Sequence, residues 1–267
     1  MQHAAKKTFD LRGKIVVLTG GAGLLASEFA DALSNAGADV VLADIKKEEC
    51  LRRAETLSKQ YHTDSIGVPL DLTNPTSIES MVTDVRSKYG KIDVLINNAA
   101  YNPQRREFHA PFHEFTLENW NKIIAVNLTG TFLCTQAVTK HMIEQRYGNV
   151  INISSIYGIV GADQRIYGDS GINSSIAYAA SKGGIINLTR YLSAYFAGAN
   201  VRVNTLTLGG VFSNQDPSFV ARYSARTHVG RMAEKSDYGG AIVYLASDAS
   251  SYMTGANLIV DGGWTSW

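Results

Sequence analysis

The sequence lacks an apolar run as long as the roughly 18 residues of a membrane-spanning helix, although 45% of its 267 residues are hydrophobic. We therefore expect no membrane partner and a large buried core. An excess of positive charge is also missing, because the formal net charge is +1. Proteins that bind nucleic acid depend on phosphate contacts from basic residues, so a nucleic-acid partner is not expected.

Cysteine is scarce. Cys50 and Cys134 stand far apart, and no group of residues has the spacing of metal ligands. Two unpaired thiols are typical of a reducing compartment. The first residues, MQHAAKKTFDLRGK, lack the apolar segment of a signal peptide. These absences predict a cytoplasmic protein with no bound metal, in which residues 1–12 form a polar tail.

Short β-branched runs alternate with helical patterns along the whole chain. The strands are expected at 14–20, 39–44, 65–71, 92–100, 148–155, 200–207 and 256–263. The helices are expected at 24–37, 47–61, 76–90, 120–146, 178–196 and 234–247. This alternation predicts an α/β fold, a Rossmann-type doubly wound parallel sheet of about seven strands. No linker or repeat interrupts it, so residues 1–267 are interpreted as a single domain.

A glycine-rich turn follows the first strand. Residues 21–26, GAGLLA, satisfy the pattern G-x-G-x-x-G/A between a strand and a helix. Such a turn lets the backbone approach a pyrophosphate at the helix N-terminus, although a plain tight turn is the alternative. Asp44 ends the second strand, where a carboxylate can accept hydrogen bonds from ribose hydroxyls and repel a 2′-phosphate. NAD is therefore favoured over NADP, unless Asp44 merely caps the next helix.

The segment YAASK places Tyr178 and Lys182 four residues apart at the start of a helical pattern. Positions i and i+4 lie on the same helix face. A phenol with its ordinary pKa near 10 is a poor base, and a nearby cation lowers that pKa. The pair therefore predicts an acid/base site, with two residues sharing an exposed face as the alternative.

Together these motifs resemble the classical short-chain dehydrogenases/reductases from residue 13 to residue 263. The matching segments are TGGAGLLA, DLT at 71–73, NNAA at 97–100, NLTG at 127–130, NISS at 152–155, YAASK, RVNTLTLGGVFS and VDGG. Their order and spacing make the resemblance specific.

The resemblance implies a role for each matching residue. Tyr178 is expected to be the catalytic acid/base, Ser155 to hold the substrate oxygen and Lys182 to lower the pKa of Tyr178. Asn127 is expected to position a water of a proton relay, or alternatively to support the backbone. The expected cofactor-binding residues are Gly20, Gly21, Gly23, Leu25, Asp44, Asp71, Leu72, Asn98, Ala99, Tyr178, Lys182, Val211 and Ser213.

Two features depart from the family. Leu24 and Ala26 stand at positions where the family has glycine, which affects the expected cofactor affinity. The gap between Ser155 and Tyr178 is also longer than is common, so we interpret residues 156–177 as an insertion in a substrate loop. Its polar residues include Gln164, Arg165 and Asn173, and a second loop carries Arg105 and Arg106. Arginines suit a phosphate or carboxylate, with a solvated loop as the alternative.

These features predict an NAD-dependent oxidoreductase acting on a polar, sugar-type alcohol or ketone. A narrower resemblance is to the flagellin modification protein A group, through SSIYG, LGGVFSNQ and PSFVARY. A carbonyl reductase for small ketones or 3-oxoacyl chains is one alternative. A non-catalytic dinucleotide sensor is another, which intact Ser155, Tyr178 and Lys182 disfavour. The family resemblance also implies a homotetramer or homodimer.

Overall fold

One seven-stranded sheet organises the protein, and the computed structural model describes residues 8–267 of it. All strand pairs are parallel, in the order β3-β2-β1-β4-β5-β6-β7. The strands are β1 Ile15–Thr19, β2 Asp39–Asp44, β3 Ile66–Pro69, β4 Val94–Asn97, β5 Gly148–Ser155, β6 Val201–Leu208 and β7 Asn257–Val260. The predicted doubly wound sheet is confirmed.

Helices cover both faces of this sheet. They are α1 Ala26–Asn35, α2 Lys47–Tyr61, α3 Pro75–Tyr89, α4 Leu117–Ile124, α5 Thr131–Glu144, α6 Ile176–Tyr195, α7 Pro217–Ser224 and α8 Gly239–Ala246. Successive residues of β1 point to opposite faces of the sheet, and each face has its own hydrophobic core. Val16 and Leu18 pack in one core, and Ile15 and Val17 pack in the other. This period of two buries the strand on both sides, as a parallel sheet requires.

Local sequence signals set the ends of several helices. Asn74 begins α3, and its side chain accepts hydrogen bonds from the amides of Thr76 and Ser77. Gly90 ends the same helix at φ 76°, a left-handed conformation that glycine adopts readily. Asp216 caps α7 in the same way as Asn74 caps α3.

The largest departure from the predicted elements concerns the long helix expected at 120–146. It begins at Leu117 and contains a π-helical turn, Ala125–Gly130, between α4 and α5. A continuous apolar pattern gives no sign of such a turn, which is frequently found at functional sites. Of the tail expected at 1–12, residues 1–7 lie outside the described residues.

The strand order reverses at β1, which lies between β2 and β4. In doubly wound sheets, ligands bind in the crevice at the carboxyl ends of the strands where this reversal occurs. No helix within residues 8–267 combines the length and the apolar character that a membrane crossing requires.

Candidate active site

The centre of the candidate site joins the end of β5 to the first turns of α6. Ser155 is the last residue of β5, and its hydroxyl accepts a hydrogen bond from the Tyr157 amide at 3.3 Å. A Cβ on Gly158 would lie 2.7 Å from the Lys182 carbonyl oxygen. Glycine therefore allows this turn to approach α6, where it brings Ser155 into hydrogen bonding with the phenol of Tyr178.

Burial dominates the electrostatics of this centre. Burial raises the pKa of Tyr178, and the bond with Ser155 opposes that rise. Lys182 is 2% exposed, and its ammonium donates to the Ile153 carbonyl at 2.8 Å. It lies 5.6 Å from the centre of the Tyr178 ring. Burial lowers the pKa of Lys182 to about 8.

Asn127 lies in the π-helical turn and is fully buried. Its side-chain oxygen accepts from the Tyr101 amide at 2.7 Å, and its nitrogen lies 3.2 Å from the Ser181 hydroxyl. The side chain therefore connects the loop after β4 to α6, next to Lys182. This geometry agrees with the alternative that Asn127 supports the backbone.

The glycine turn after β1 is shaped by close backbone contacts. Gly20 has φ 68°, and a Cβ there would lie 2.7 Å from the Ala99 Cα. The Gly23 amide donates to the Gly20 carbonyl at 2.8 Å. Leu25, which precedes α1, forms no side-chain hydrogen bond to the first amides of that helix. Those amides are therefore available to a pyrophosphate, so the turn fits a dinucleotide.

The two unusual residues of this turn have different surroundings. Leu24 is 45% exposed, whereas Ala26 is fully buried. A Cβ on Gly21 would lie 2.8 Å from the Leu42 Cβ, so the turn also packs against β2. The replacement of glycine by leucine is thus accommodated at the surface.

Asp44 and Arg53, which no sequence motif indicates, flank this turn. The Asp44 carboxylate accepts from the Ala22 amide at 3.2 Å and from the Lys46 amide at 3.0 Å. Arg53 on α2 donates to the Gly21 carbonyl at 3.0 Å. The sequence of the turn contains no basic residue. A basic side chain nevertheless contacts the turn, because the fold brings α2 beside it.

The other expected cofactor residues lie at the carboxyl edge of the sheet. The Asp71 carboxylate accepts from the Thr73 amide at 2.9 Å, and buried Leu72 packs beside Gly130. The Asn98 side chain donates to the Thr19 carbonyl at 3.0 Å.

Three further expected residues complete that edge. The Ala99 amide donates to the Thr19 hydroxyl at 3.1 Å. After β6, Gln215 donates to the Val211 carbonyl at 2.8 Å and accepts from the Ser213 amide at 2.7 Å. The segments after β1, β3, β4 and β6 therefore all meet the crevice.

The substrate side is built from two loops that are bonded to each other. His109, in the loop after β4, has Nδ1 2.9 Å from the Asn173 carbonyl and Nε2 3.1 Å from the Pro103 carbonyl. The Asn173 amide donates back to the His109 carbonyl at 3.1 Å. The part of the 156–177 insertion that precedes α6 is thus hydrogen-bonded to the loop after β4.

A groove of about 1020 Å³ lies between these loops. Its polar lining residues are Arg106, Glu107, Glu114, Gln164, Arg165 and Asn173. Arg105 does not line it, and Arg165 forms a two-pronged ion pair with Asp163. The expected pair of anion-binding arginines is therefore not found in the groove, whose charges have mixed sign.

The insertion is also bonded to α7. Arg222 donates to the Ile166 carbonyl at 2.9 Å, and Arg226 pairs with Asp163 at 2.6 Å. The Tyr167 ring packs against the Phe219 ring with centroids 5.4 Å apart. Insertion and α7 therefore form one packed unit.

Comparisons with known proteins agree with this architecture. A family model described as Enoyl-(Acyl carrier protein) reductase matches residues 21–265. The chain is 36% identical over 264 residues to the 5-keto-D-gluconate 5-reductase of Escherichia coli strain K12, covering 96% of each chain. It is 35% identical over 260 residues to a 3-oxoacyl-(acyl-carrier-protein) reductase of Thermotoga maritima, covering 95% of this chain and 98% of that protein.

Two further similarities concern the narrower expectations. Post-translational flagellin modification protein A of Campylobacter coli is 29% identical over 254 residues, with 95% of this chain and 99% of that protein covered. A gluconate 5-dehydrogenase from Burkholderia cenocepacia, solved with NADP and tartrate, superposes with a TM-score of 0.89 at 28% identity, covering 98% and 99% of the chains. The protein belongs to the short-chain dehydrogenase/reductase family, oxidoreductases that use a nicotinamide dinucleotide.

Proposed function

We propose that the protein transfers a hydride between NAD and a secondary alcohol or ketone of a polar, sugar-type substrate, such as a sugar acid, a sugar phosphate or a nucleotide sugar. The observation that carries the proposal is the meeting of Ser155, Tyr178 and Lys182 at the carboxyl edge of the sheet. The groove between the insertion and the loop after β4 has charged and amide side chains in its lining. The similarity to a 5-keto-D-gluconate reductase supports the substrate class.

In the proposed mechanism, the bound dinucleotide supplies hydride transfer, and the protein orients the substrate and moves one proton. Ser155 holds the substrate oxygen beside the Tyr178 hydroxyl. Tyr178 takes the proton from an alcohol during oxidation and returns it during reduction. Lys182 holds the nicotinamide ribose, and Asn127 keeps the neighbouring backbone in place for a proton relay. Such acid–base help typically contributes about 10²–10⁴-fold to the rate.

The proposed cofactor residues are those grouped around the crevice. Gly20, Gly21, Gly23 and Leu25 form the turn that would receive the pyrophosphate. Asp71, Leu72, Asn98 and Ala99 would contact the adenosine half, and Val211 and Ser213 the carboxamide.

The preference for NAD depends on Asp44. Its carboxylate suits ribose hydroxyls and repels a 2′-phosphate. Arg53 beside the same turn favours a phosphate, and the Burkholderia cenocepacia structure was solved with NADP. Initial rates with NAD and with NADP, at matched concentrations, test the preference directly. A higher kcat/KM with NADP would overturn it.

The substrate proposal is tested by following reduced nicotinamide across polyols, sugar acids, sugar phosphates, nucleotide sugars and simple secondary alcohols. Turnover of a sugar-type compound is the expected result, and activity confined to simple alcohols contradicts it. In parallel, Tyr178→Phe is expected to lower kcat by about 10²–10⁴-fold while NADH still binds. Absence of turnover in the wild type with every compound would favour the dinucleotide sensor.

A 3-oxoacyl or small-ketone reductase is the second candidate. The description of the family model and the similarity to the Thermotoga maritima reductase favour it. The charged side chains of the groove, among them Arg106, Glu107 and Arg165, disfavour an acyl chain. An acyl thioester added to the panel decides between the two candidates, because each predicts the larger kcat/KM for its own substrate.

We also propose a homotetramer or homodimer. Phe132 on α5 and Tyr191 and Tyr195 on α6 are exposed aromatic residues, and the two tyrosine rings stack with centroids 6.2 Å apart. Light scattering coupled to size exclusion measures the mass directly. A mass of 29.0 kDa, that of one chain, would contradict the proposal.

A further inference from the structure

The insertion brings two further tyrosine hydroxyls to the catalytic centre. Tyr157, which follows Ser155 by two residues, and Tyr167 both lie within residues 156–177. Their hydroxyls are 3.5 Å apart. Both belong to one hydrophobic cluster with Ile156, Ile166 and residues of α7. Because the rings are packed, the two hydroxyls are held on a rigid surface beside Tyr178.

These hydroxyls retain unused hydrogen-bonding capacity. A phenol offers one donor and an acceptor, and at 3.5 Å their mutual contact is a weak bond. In the part of the chain that the structure describes, neither hydroxyl has another hydrogen-bond partner. By contrast, the neighbouring Tyr223 hydroxyl accepts a bond from the Gly210 amide. The pair can therefore both donate to and accept from a polar group of a ligand.

The pair lies close to the reacting groups, because the backbone amide of Tyr157 donates to the Ser155 hydroxyl at 3.3 Å. Burial raises the pKa of Tyr157, and the hydroxyls of Tyr167 and Tyr178 contribute to that rise. Tyr167 likewise contributes to the raised pKa of Tyr178. A substrate whose reacting oxygen lies between Ser155 and Tyr178 would therefore present its adjoining carbons to the pair.

We propose that Tyr157 and Tyr167 form a recognition site for substrate hydroxyl groups on the carbons next to the one oxidised or reduced. The pair then selects polyhydroxylated compounds over ketones that lack neighbouring hydroxyls. This inference rests on the proposed function and deepens it, because it names the residues that would recognise the substrate hydroxyls. A site that hydrogen-bonds a hydroxyl discriminates against analogues without it, since its own polar groups are otherwise left unpaired.

The test compares Tyr157→Phe, Tyr167→Phe and the double variant with wild type, using 5-keto-D-gluconate and cyclohexanone as probes. Each single change is expected to raise the KM for 5-keto-D-gluconate roughly three- to tenfold, the worth of one hydrogen bond. The kcat, the KM for the dinucleotide and any rate with cyclohexanone should remain at their wild-type values. Tyr252→Phe is the matched control, because Tyr252 is fully exposed.

Several outcomes overturn the inference. An unchanged KM in both single variants shows that the hydroxyls do not contact substrate. An equal loss with both probes, or a loss of kcat alone, shows that the pair supports the catalytic groups instead. If wild type reduces cyclohexanone but not 5-keto-D-gluconate or any other polyhydroxylated ketone, the proposed function itself fails, and the inference fails with it. Thermal unfolding of each variant separates misfolding from these cases.

Discussion

The cofactor side and the substrate side of this site are built in different ways. On the cofactor side, short turns follow directly from neighbouring strands and are fixed by bonds such as those from the Ala99 amide to the Thr19 hydroxyl and from the Ala22 amide to Asp44. On the substrate side, long loops depend on one another, through His109 with Asn173 and Arg222 with Ile166. The sheet therefore determines one half, and contacts between loops determine the other.

This difference predicts which binding step a substitution on each side affects. A substitution in a cofactor turn acts on a segment anchored by the core, so its effect should remain local to dinucleotide binding. A substitution that breaks a contact between loops releases both partners, so it should alter substrate binding at a distance. Each of the following predictions tests one side or the groups that the two sides share.

The largest effect is expected from Asp44→Ala on the cofactor side. Loss of a charge-assisted hydrogen bond to ribose should lower the ratio of kcat/KM for NAD to that for NADP roughly 10- to 100-fold. Steady-state kinetics with both cofactors measure the ratio. Asp84→Ala, an equal change of charge at an exposed position of α3, is the control. A proportional loss with both cofactors would mean that Asp44 only supports the turn.

Lys182 belongs to both sides, and Lys182→Met is expected to abolish turnover yet stabilise the fold at pH 7. Burial lowers the pKa of Lys182 to about 8, so the folded protein holds this proton less tightly than the unfolded chain. The destabilisation is complete below about pH 8 and fades as the pH rises towards the unfolded value near 10.4. A gain of about 1–3 kcal/mol at pH 7 should therefore shrink at pH 10.

Thermal unfolding at the two pH values measures that gain. Lys140→Met, on the exposed part of α5, provides the control and should leave the Tm unchanged. A lower Tm for Lys182→Met at pH 7 would show that its bond to Ile153 outweighs the desolvation of its charge.

A smaller effect is expected from His109→Ala, which breaks the contact between the two substrate loops. Loss of the ring's bonds to Asn173 and Pro103 should raise the KM for a polar substrate about tenfold. The Kd for NADH, measured by fluorescence, should not change. His113→Ala in the same loop is the control, since its side chain is 80% exposed. A weaker affinity for NADH would contradict the separation of the two sides.

The smallest effect is expected from Asp163→Asn, which removes ion pairs with Arg165 and Arg226. Arg165 is largely exposed, although the Asp163 side chain is only 13% exposed, so we expect the KM for the substrate to rise only about threefold. Arg165 lowers the pKa of Asp163 to about 2. The stabilisation is therefore present above about pH 4 and is lost as the pH falls towards 2. Asp169→Asn in the same insertion is the control, and an equal effect there would contradict the role of Asp163.

The contrast between the cofactor side and the substrate side also explains which parts of the site can be predicted from the sequence. The strands and the turn at Gly20 follow from periodicity and from glycine at a left-handed position. Ser155 and Tyr178 follow from motifs at strand and helix ends. Arg53 reaches the glycine turn from α2, and Tyr167 approaches Tyr157 from an insertion of no regular pattern. Such contacts depend on three-dimensional placement, which local periodicity does not encode.

The π-helical turn at Ala125–Gly130 affects how the chain tolerates deletions. A π turn holds about one residue more than an α-helical turn. Deleting one residue from α4, or from α5 before Val138, would rotate the helix beyond the deletion and turn buried Val138 away from the sheet. A deletion within the π turn could instead be absorbed by conversion to an α-helix. The fold would then persist while the bond from the Tyr101 amide to Asn127 was lost, so deletion of a single codon would change this site without unfolding the protein.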